Sequence, residues 1–345
     1  MPLRAPVALL TALILLCLAG CTDDSGDSGP AQEPAAPTVS VAPAAPDPET
    51  VADEVKRGAR LSELPEEFLP AVPFVAQGNS LTDVQQSCVL SYLAVERETP
   101  CVLGDPEADR EVVLWGDAHA AQWIAALERA GREQGWRVLV RTKYGCPPLL
   151  GVTPWLEAEE RPYEECVEFN ERTAEMLPDS EDDVVLLAGS PRGLALVVDG
   201  RPQPVGVPAQ GQGWRSVPAQ DRAYQEGLGA SLEAAAERGP RTVVLGDTPY
   251  PGHDAQACLT ANPGALGACA APRKEAVLEG HNARLAKTAR KQGASYVDPV
   301  PWFCTDRVCP AIVAERVVYR DGFTAGRLYV DYLTDVLGEA VGLMD

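Results

Sequence analysis

Val112-Val113-Leu114-Trp115-Gly116-Asp117-Ala118-His119-Ala120-Ala121-Gln122-Trp123 is the stretch from which the fold is read. Glu111 to Trp115 is a short apolar run that ends at Gly116-Asp117, the pattern of a buried strand leaving into a turn. Apolar residues then recur at Ala120, Trp123, Ile124 and Leu127, a helical spacing that predicts a helix over 119–134. An Asp that opens such a strand–helix turn caps the helix by accepting backbone N–H bonds.

The alternation continues outward. Strands are expected at Trp136–Val140, Asp183–Ala188, Thr242–Leu245 and Ser295–Val297, the third of these again ending at a Gly-Asp pair. Helices are expected over 160–177, 220–238, 271–292 and 324–339, with a short one within 49–63. Strands alternating with helices imply a three-layer α/β/α sandwich around a parallel sheet of about five strands. In such a sheet the site lies at the carboxyl ends of the strands. The folded domain is placed at 64–345.

The amino terminus has a different character. Arg4 is followed by an apolar run from Val7 to Leu18, too short to span a bilayer as a stable helix. Leu18-Ala19-Gly20-Cys21 then looks like a lipobox, so residues 1–20 read as a lipoprotein signal peptide and Cys21 as the lipidated residue. Residues 21–63 begin with an Asp-, Ser-, Pro- and Ala-rich stretch that lacks the apolar surface to offset chain entropy, and read as a tether. The expected location is the outer face of a membrane, held by lipid on Cys21.

Ten cysteines are present; Cys17 and Cys21 lie in the leader. The other eight, in an exported chain, read as disulfides. Spacing alone does not settle connectivity. The local choice is Cys88–Cys101, Cys146–Cys166, Cys258–Cys269 and Cys304–Cys309. There is no Cys-x-x-Cys and there are only three histidines, His119, His253 and His281, so neither a zinc site nor another metal or cofactor is expected. Acidic residues number 50 against 29 basic, a net charge of −21, which argues against nucleic acid and against a polybasic membrane contact. A cell-envelope glycan or a protein is the partner class left open.

The opening stretch resembles the first conserved block of the SGNH hydrolases, above all the SGNH domains appended to acyltransferase-3-type membrane O-acyltransferases. There the strand end reads Gly-Asp-Ser-His, and the serine is the nucleophile. Here that position is Ala118. Tyr319-Arg320-Asp321-Gly322-Phe323-Thr324 is similar to the family's closing Asp-x-x-His segment, with Asp321 retained and Thr324 where the resemblance puts the histidine base. Gly145-Cys146-Pro147-Pro148 and Leu245-Gly246-Asp247-Thr248-Pro249 match in the same order. The resemblance covers about residues 85–342 and implies a flavodoxin-like SGNH fold.

The chemistry turns on the two losses. A serine esterase needs an oxygen nucleophile and a base to take its proton. An alanine methyl has no oxygen, and a threonine hydroxyl has no useful basicity near neutral pH. The leading expectation is therefore an inactive SGNH-like domain that binds an acylated glycan or a protein partner. The alternative is an esterase or O-acyltransferase with a non-standard nucleophile, which needs a hydroxyl or carboxylate that faces the cleft and reaches a histidine. The degenerate site comprises Asp117, Ala118, His119, Asp321 and Thr324, with Gly116, Ser190 and Arg192 as ligand-binding candidates. His119 is expected to pack or cap, and Asp321 to cap the last helix or bond to Thr324. His253 and His281 are expected at the surface. Trp115 and Trp123 are expected in the core, and Trp155 and Trp214 in loops.

Overall fold

The computed structural model describes residues 46–66, 70–204 and 218–344, which lie in one compact unit beginning at Ala44. Cys21, the leader, most of the tether and Trp214 lie outside the described residues.

Seven strands form the main sheet: β1 (Val89–Leu90), β2 (Cys101–Gly104), β3 (Arg110–Gly116), β4 (Trp136–Lys143), β5 (Val184–Ala188), β6 (Arg241–Leu245) and β7 (Ser295–Val297). Five run parallel in the order β4-β3-β5-β6-β7. The outer edge of β4 is shared by parallel β1 and antiparallel β2. All five expected strands are present. The two extra ones have two and four residues, too few for periodicity to register.

Side-chain alternation along β3 and β5 explains their continuous apolar runs. Val112, Leu114, Val184 and Leu186 enter the core on one face of the sheet. Val113, Trp115, Val185 and Leu187 enter the core on the other. The helices that frame the sheet and its strand ends include α1 (Pro48–Gly58), α2 (Ala118–Ala121), α3 (Ile124–Gln134), α4 (Glu164–Glu175), α5 (Pro218–Arg238), α6 (Glu279–Lys291), α7 (Arg327–Tyr332) and α8 (Thr334–Val341). Ile124 and Leu127 of α3 pack on the first face with Val330 of α7 and Leu337 of α8. Phe169 of α4, Leu232 of α5 and Leu285 of α6 pack on the second. Helix α1 buries Val51 and Val55 against the first core, so ordered structure starts before residue 64.

Three helices expected to be continuous are broken, the one over 271–292 at Val277 and Leu278 and the one over 324–339 at Leu333. The helix over 119–134 is interrupted between α2 and α3, at Gln122 and Trp123. The last helix begins at Arg327, with Gly326 as its cap. A four-stranded antiparallel sheet is also present, built from Pro154–Leu156, Arg161–Pro162, Ala195–Val198 and Arg201–Pro204. Trp155 therefore lies on a strand, not in a loop. The eight cysteines pair in the local arrangement, 88–101, 146–166, 258–269 and 304–309. Among the described residues no helix is long and apolar enough to cross a membrane.

The order places the reversal of strand winding between β3 and β5, where open α/β sheets form their clefts. At the end of β3, Gly116 pairs with Ala188 of β5. A Cβ on Gly116 would lie 1.8 Å from the Ala188 carbonyl oxygen and 2.8 Å from the Ala120 Cβ. Both neighbours are fixed by backbone, so relief requires the strand end to move. Gly116→Ala is expected to lower unfolding free energy by about 3 kcal/mol or more, read as a shift of the urea midpoint.

Candidate functional site

Asp117 leaves β3 with only 4% of its surface exposed. One carboxylate oxygen accepts the backbone N–H of His119 at 2.8 Å and so caps α2. The other accepts the N–H of Ser190, beyond β5, also at 2.8 Å. A single carboxylate thus ties together the two strand ends that flank the switch point. Burial pushes Asp117 up to about 6, against the pull of His119 and the two N–H donors.

His119 is also buried, and its Nδ1 lies 2.7 Å from Oδ1 of Asp247, at the end of β6. Burial opposes the imidazolium, but the Asp247 carboxylate outweighs it and raises the histidine above its ordinary value. The other Asp247 oxygen accepts the Tyr250 hydroxyl, which lies 2.5 Å from the Ser190 hydroxyl. The Tyr250 and His119 rings are 4.9 Å apart. Asn282 on α6 locks the Asp247 backbone twice, accepting its N–H at 2.9 Å and donating to its carbonyl at 3.0 Å. A continuous polar network therefore joins His119, Asp247, Tyr250, Ser190 and Asp117 beneath the strand ends.

The degenerate pair lies to one side. Thr324 donates its hydroxyl to both Asp321 oxygens, at 3.1 and 3.0 Å. Asp321 also accepts the N–H groups of Phe323 and Thr324, each at 2.8 Å, and pairs with Arg320 at 2.9 Å. It closes its own turn five residues before Gly326, the cap of α7, so Asp321 does not cap the last helix. Gln122 bridges this turn to β6: its Oε1 accepts from Ala325 N at 2.8 Å and its Nε2 donates to Thr248 Oγ1 at 3.1 Å. Ala118, Gln122 and Thr324 line a crevice of about 20 Å³, space for one water molecule.

On the other side of Asp117 a cleft of about 600 Å³ opens. Asp117, Ser190 and Arg192 lie at one part of it, and Tyr92, Trp155 and Tyr163 supply aromatic walls. The guanidinium of Arg192 lies over the rings of Tyr250 and Phe323, at 4.9 and 4.3 Å. The Tyr92 wall is pinned from below. Lys143 is fully buried at the end of β4, and its Nζ donates to the carbonyls of Ser91, Tyr92 and Ala94 at 2.9, 2.7 and 2.6 Å. Phe323 is 52% exposed and does not fill the cleft.

Of the ligand-binding candidates, Ser190 and Arg192 line the cleft and Gly116 does not; of the degenerate-site residues, Asp117 lines the cleft and Ala118 and Thr324 share the crevice. Sequence reasoning missed Asp247, Tyr250, Gln122, Asn282 and Lys143 as structural partners. The only signal for Asp247 was that β6, like β3, ends in Gly-Asp. Two expectations are corrected. His281 is buried, not at the surface, packed edge-on to Tyr224, and desolvation drops it to about 4. His253 is part-buried, with Nε2 3.2 Å from the Cys269 carbonyl oxygen. Among the described residues, none that lines the cleft has a hydroxyl or carboxylate hydrogen-bonded to a histidine ring.

The raised value of His119 carries a sign. Its pairing contributes fully to stability below the unfolded value of about 6.5, and the contribution is lost as pH rises through the higher folded value. In an NMR titration of the histidine rings, His119 is expected above 6.5 and His281 near 4. Asp247→Asn removes the partner charge, so burial then drives His119 below 6.5. An unchanged His119 midpoint in that variant contradicts the pairing.

Comparison with known proteins adds to this geometry. No curated protein matches the chain in sequence. In structure it is similar to the periplasmic domain of a lipopolysaccharide acetyltransferase of Salmonella ser. Paratyphi A, with a TM-score of 0.50 and 15% identity over 68% of this chain and 85% of that one. It is also similar to a GDSL-like lipase from Bacteroides thetaiotaomicron VPI-5482, with a TM-score of 0.37 and 10% identity over 68% of this chain and 88% of that one. At such identities the likeness is one of fold. The family model described as an SGNH domain fused to AT3 domains matches residues 87–323. That match spans most of the chain, from the residue before Cys88 to the Asp321 turn, and the chain belongs to the SGNH-domain family.

Proposed function

We propose that this is a lipid-anchored, extracytoplasmic SGNH domain that has lost acyl-transfer chemistry and binds an acylated glycan of the cell envelope in its cleft. The observation that carries the reading is the pairing of Thr324 with Asp321 beside Ala118. A threonine hydroxyl now donates to the carboxylate that, on the family resemblance, would orient a histidine. No oxygen stands at position 118 to be activated, and the crevice between the two positions is narrow, about 20 Å³.

The cleft beside it supports a binding role. It is largely apolar and aromatic, with a few polar groups converging from Asp117, Ser190 and Arg192, the composition of a small-molecule site. Tyr92 and Trp155 offer faces to sugar rings or acyl groups. The lipobox-like Leu18-Ala19-Gly20-Cys21, the four disulfides and the periplasmic origin of the Salmonella domain support an anchored, exported location. The alternative, an active esterase with a non-standard nucleophile, finds no support in the cleft. The His119 ring pairs with Asp247 below it, and the Ser190 hydroxyl is engaged by Tyr250.

The test is a binding screen against O-acetylated and de-acetylated envelope glycans, beside an aryl-acetate hydrolysis assay. Wild-type protein is expected to bind without turnover, and Trp155→Ala to weaken binding about tenfold or more. Ala118→Ser/Thr324→His is expected to gain measurable hydrolysis. Turnover by wild-type protein that is lost in Asp117→Asn or His119→Gln would refute the inactive reading. A Cys21→Ser chain that stays in the membrane fraction would refute the anchor.

A further inference from the structure

Arg141 lies on β4 and, among the described residues, has no carboxylate within ion-pair distance, yet only 6% of its surface is exposed. Its Nε donates to Thr173 Oγ1 at 3.1 Å, and its guanidinium lies 5.0 Å from the centre of the Phe169 ring. Its Nη2 is buried with no hydrogen-bond partner, as is Oγ1 of the neighbouring Thr142. A guanidinium stays charged at any accessible pH, so burial cannot be relieved by losing a proton. A buried charge without a counter-charge is expensive, and an aromatic face and one neutral hydroxyl compensate it only in part.

Both residues line a recess of about 30 Å³, outside the cleft and outside the degenerate site, with exposed Glu96, Pro100 and Met176 at its rim. Its walls include the Cys88–Cys101 bridge, Arg97 and Phe169. The one acid in the lining, Glu96, is turned to Arg172, with which it pairs at 2.6 Å. Arg97, Arg141 and Arg172 against Glu96 leave the neighbourhood cationic, in a chain whose net charge is −21. The space exceeds the roughly 10–15 Å³ that one water needs but is too small for a tetrahedral oxyanion.

We propose that this cavity is a binding site for a monovalent anion of halide size, held by Arg141 and Thr142. The anion supplies the counter-charge that the chain does not. It also ties β4 to the Cys88–Cys101 loop and to α4, which carries Phe169, Arg172 and Thr173. Water fills the same space without neutralising the guanidinium, so the two occupants are separable by experiment.

The melting temperature of the full-length protein would be measured in sodium chloride, bromide or gluconate up to about 150 mM, at constant ionic strength so that screening is equal. Chloride and bromide are expected to raise it by about 2 °C or more in a saturable way, with no rise in gluconate. Arg141→Met, which removes the buried charge and keeps an apolar chain, is expected to abolish the difference. Crystals grown in bromide should show an anomalous peak at the cavity, a readout that does not need the variant to fold. Identical melting in all three salts, or a cavity without an anomalous peak, would overturn the proposal in favour of water.

Discussion

The carboxylate of Asp117 is the constraint on which the site depends. It receives one backbone N–H from the start of α2 and one from the segment after β5. The two strands that diverge at the switch point are thereby held at a fixed separation, with Gly116 allowing the closest approach of β3 to Ala188. Burial of the carboxylate is costly, as its raised pKa shows. Two N–H bonds and the nearby imidazolium of His119 compensate it. A group that must be buried, charged and doubly bonded in this way sets the position of everything attached to the two strand ends.

What is attached falls on two sides. Toward α7 lies a narrow crevice bounded by Ala118 and Thr324, closed by the Gln122 bridge between Thr248 and the Ala325 backbone. Toward the small antiparallel sheet lies the wide aromatic cleft. The same strand end therefore faces a narrow crevice on one side and a wide cleft on the other. The walls of the cleft rest on contacts separate from Ala118 and Thr324. Trp115 donates its indole N–H to Asn170 at 2.8 Å, and Asn170 donates to the Pro147 carbonyl at 2.9 Å. Lys143 holds the Ser91–Ala94 loop.

The network below the cleft is a structural feature in its own right. His119, Asp247, Tyr250 and Ser190 form a chain of charge-assisted and hydroxyl contacts in a water-poor interior, where each bond strengthens the next and each broken bond is costly. Asn282 fixes Asp247 from α6, so the network couples β6 to both Gly-Asp exits. A histidine placed this way is a brace between strand ends, and its charge is held by the partner carboxylate and not by solvent.

The sequence by itself determined the alternating strand–helix order, because continuous apolar runs and helical spacing follow from burial on both faces of a parallel sheet. It also determined that position 118 carries a methyl and position 324 a hydroxyl, since no fold can add an oxygen to the one or basicity to the other. The local disulfide arrangement was one readable option among several, and geometry selected it. Tertiary structure alone decided which distant polar groups meet. Asp247 and His119 are 2.7 Å apart although 128 positions separate them in sequence, and nothing local in either segment encodes that distance. Strands of two to four residues, the breaks at Gln122 and before Arg327, and the burial of His281 likewise depend on long-range packing. Such elements draw their stability from neighbours and not from their own periodicity. The division between a narrow crevice and a wide cleft belongs to the same class: it arises where five strand ends and their loops converge, from contacts that exist only once the sheet has formed.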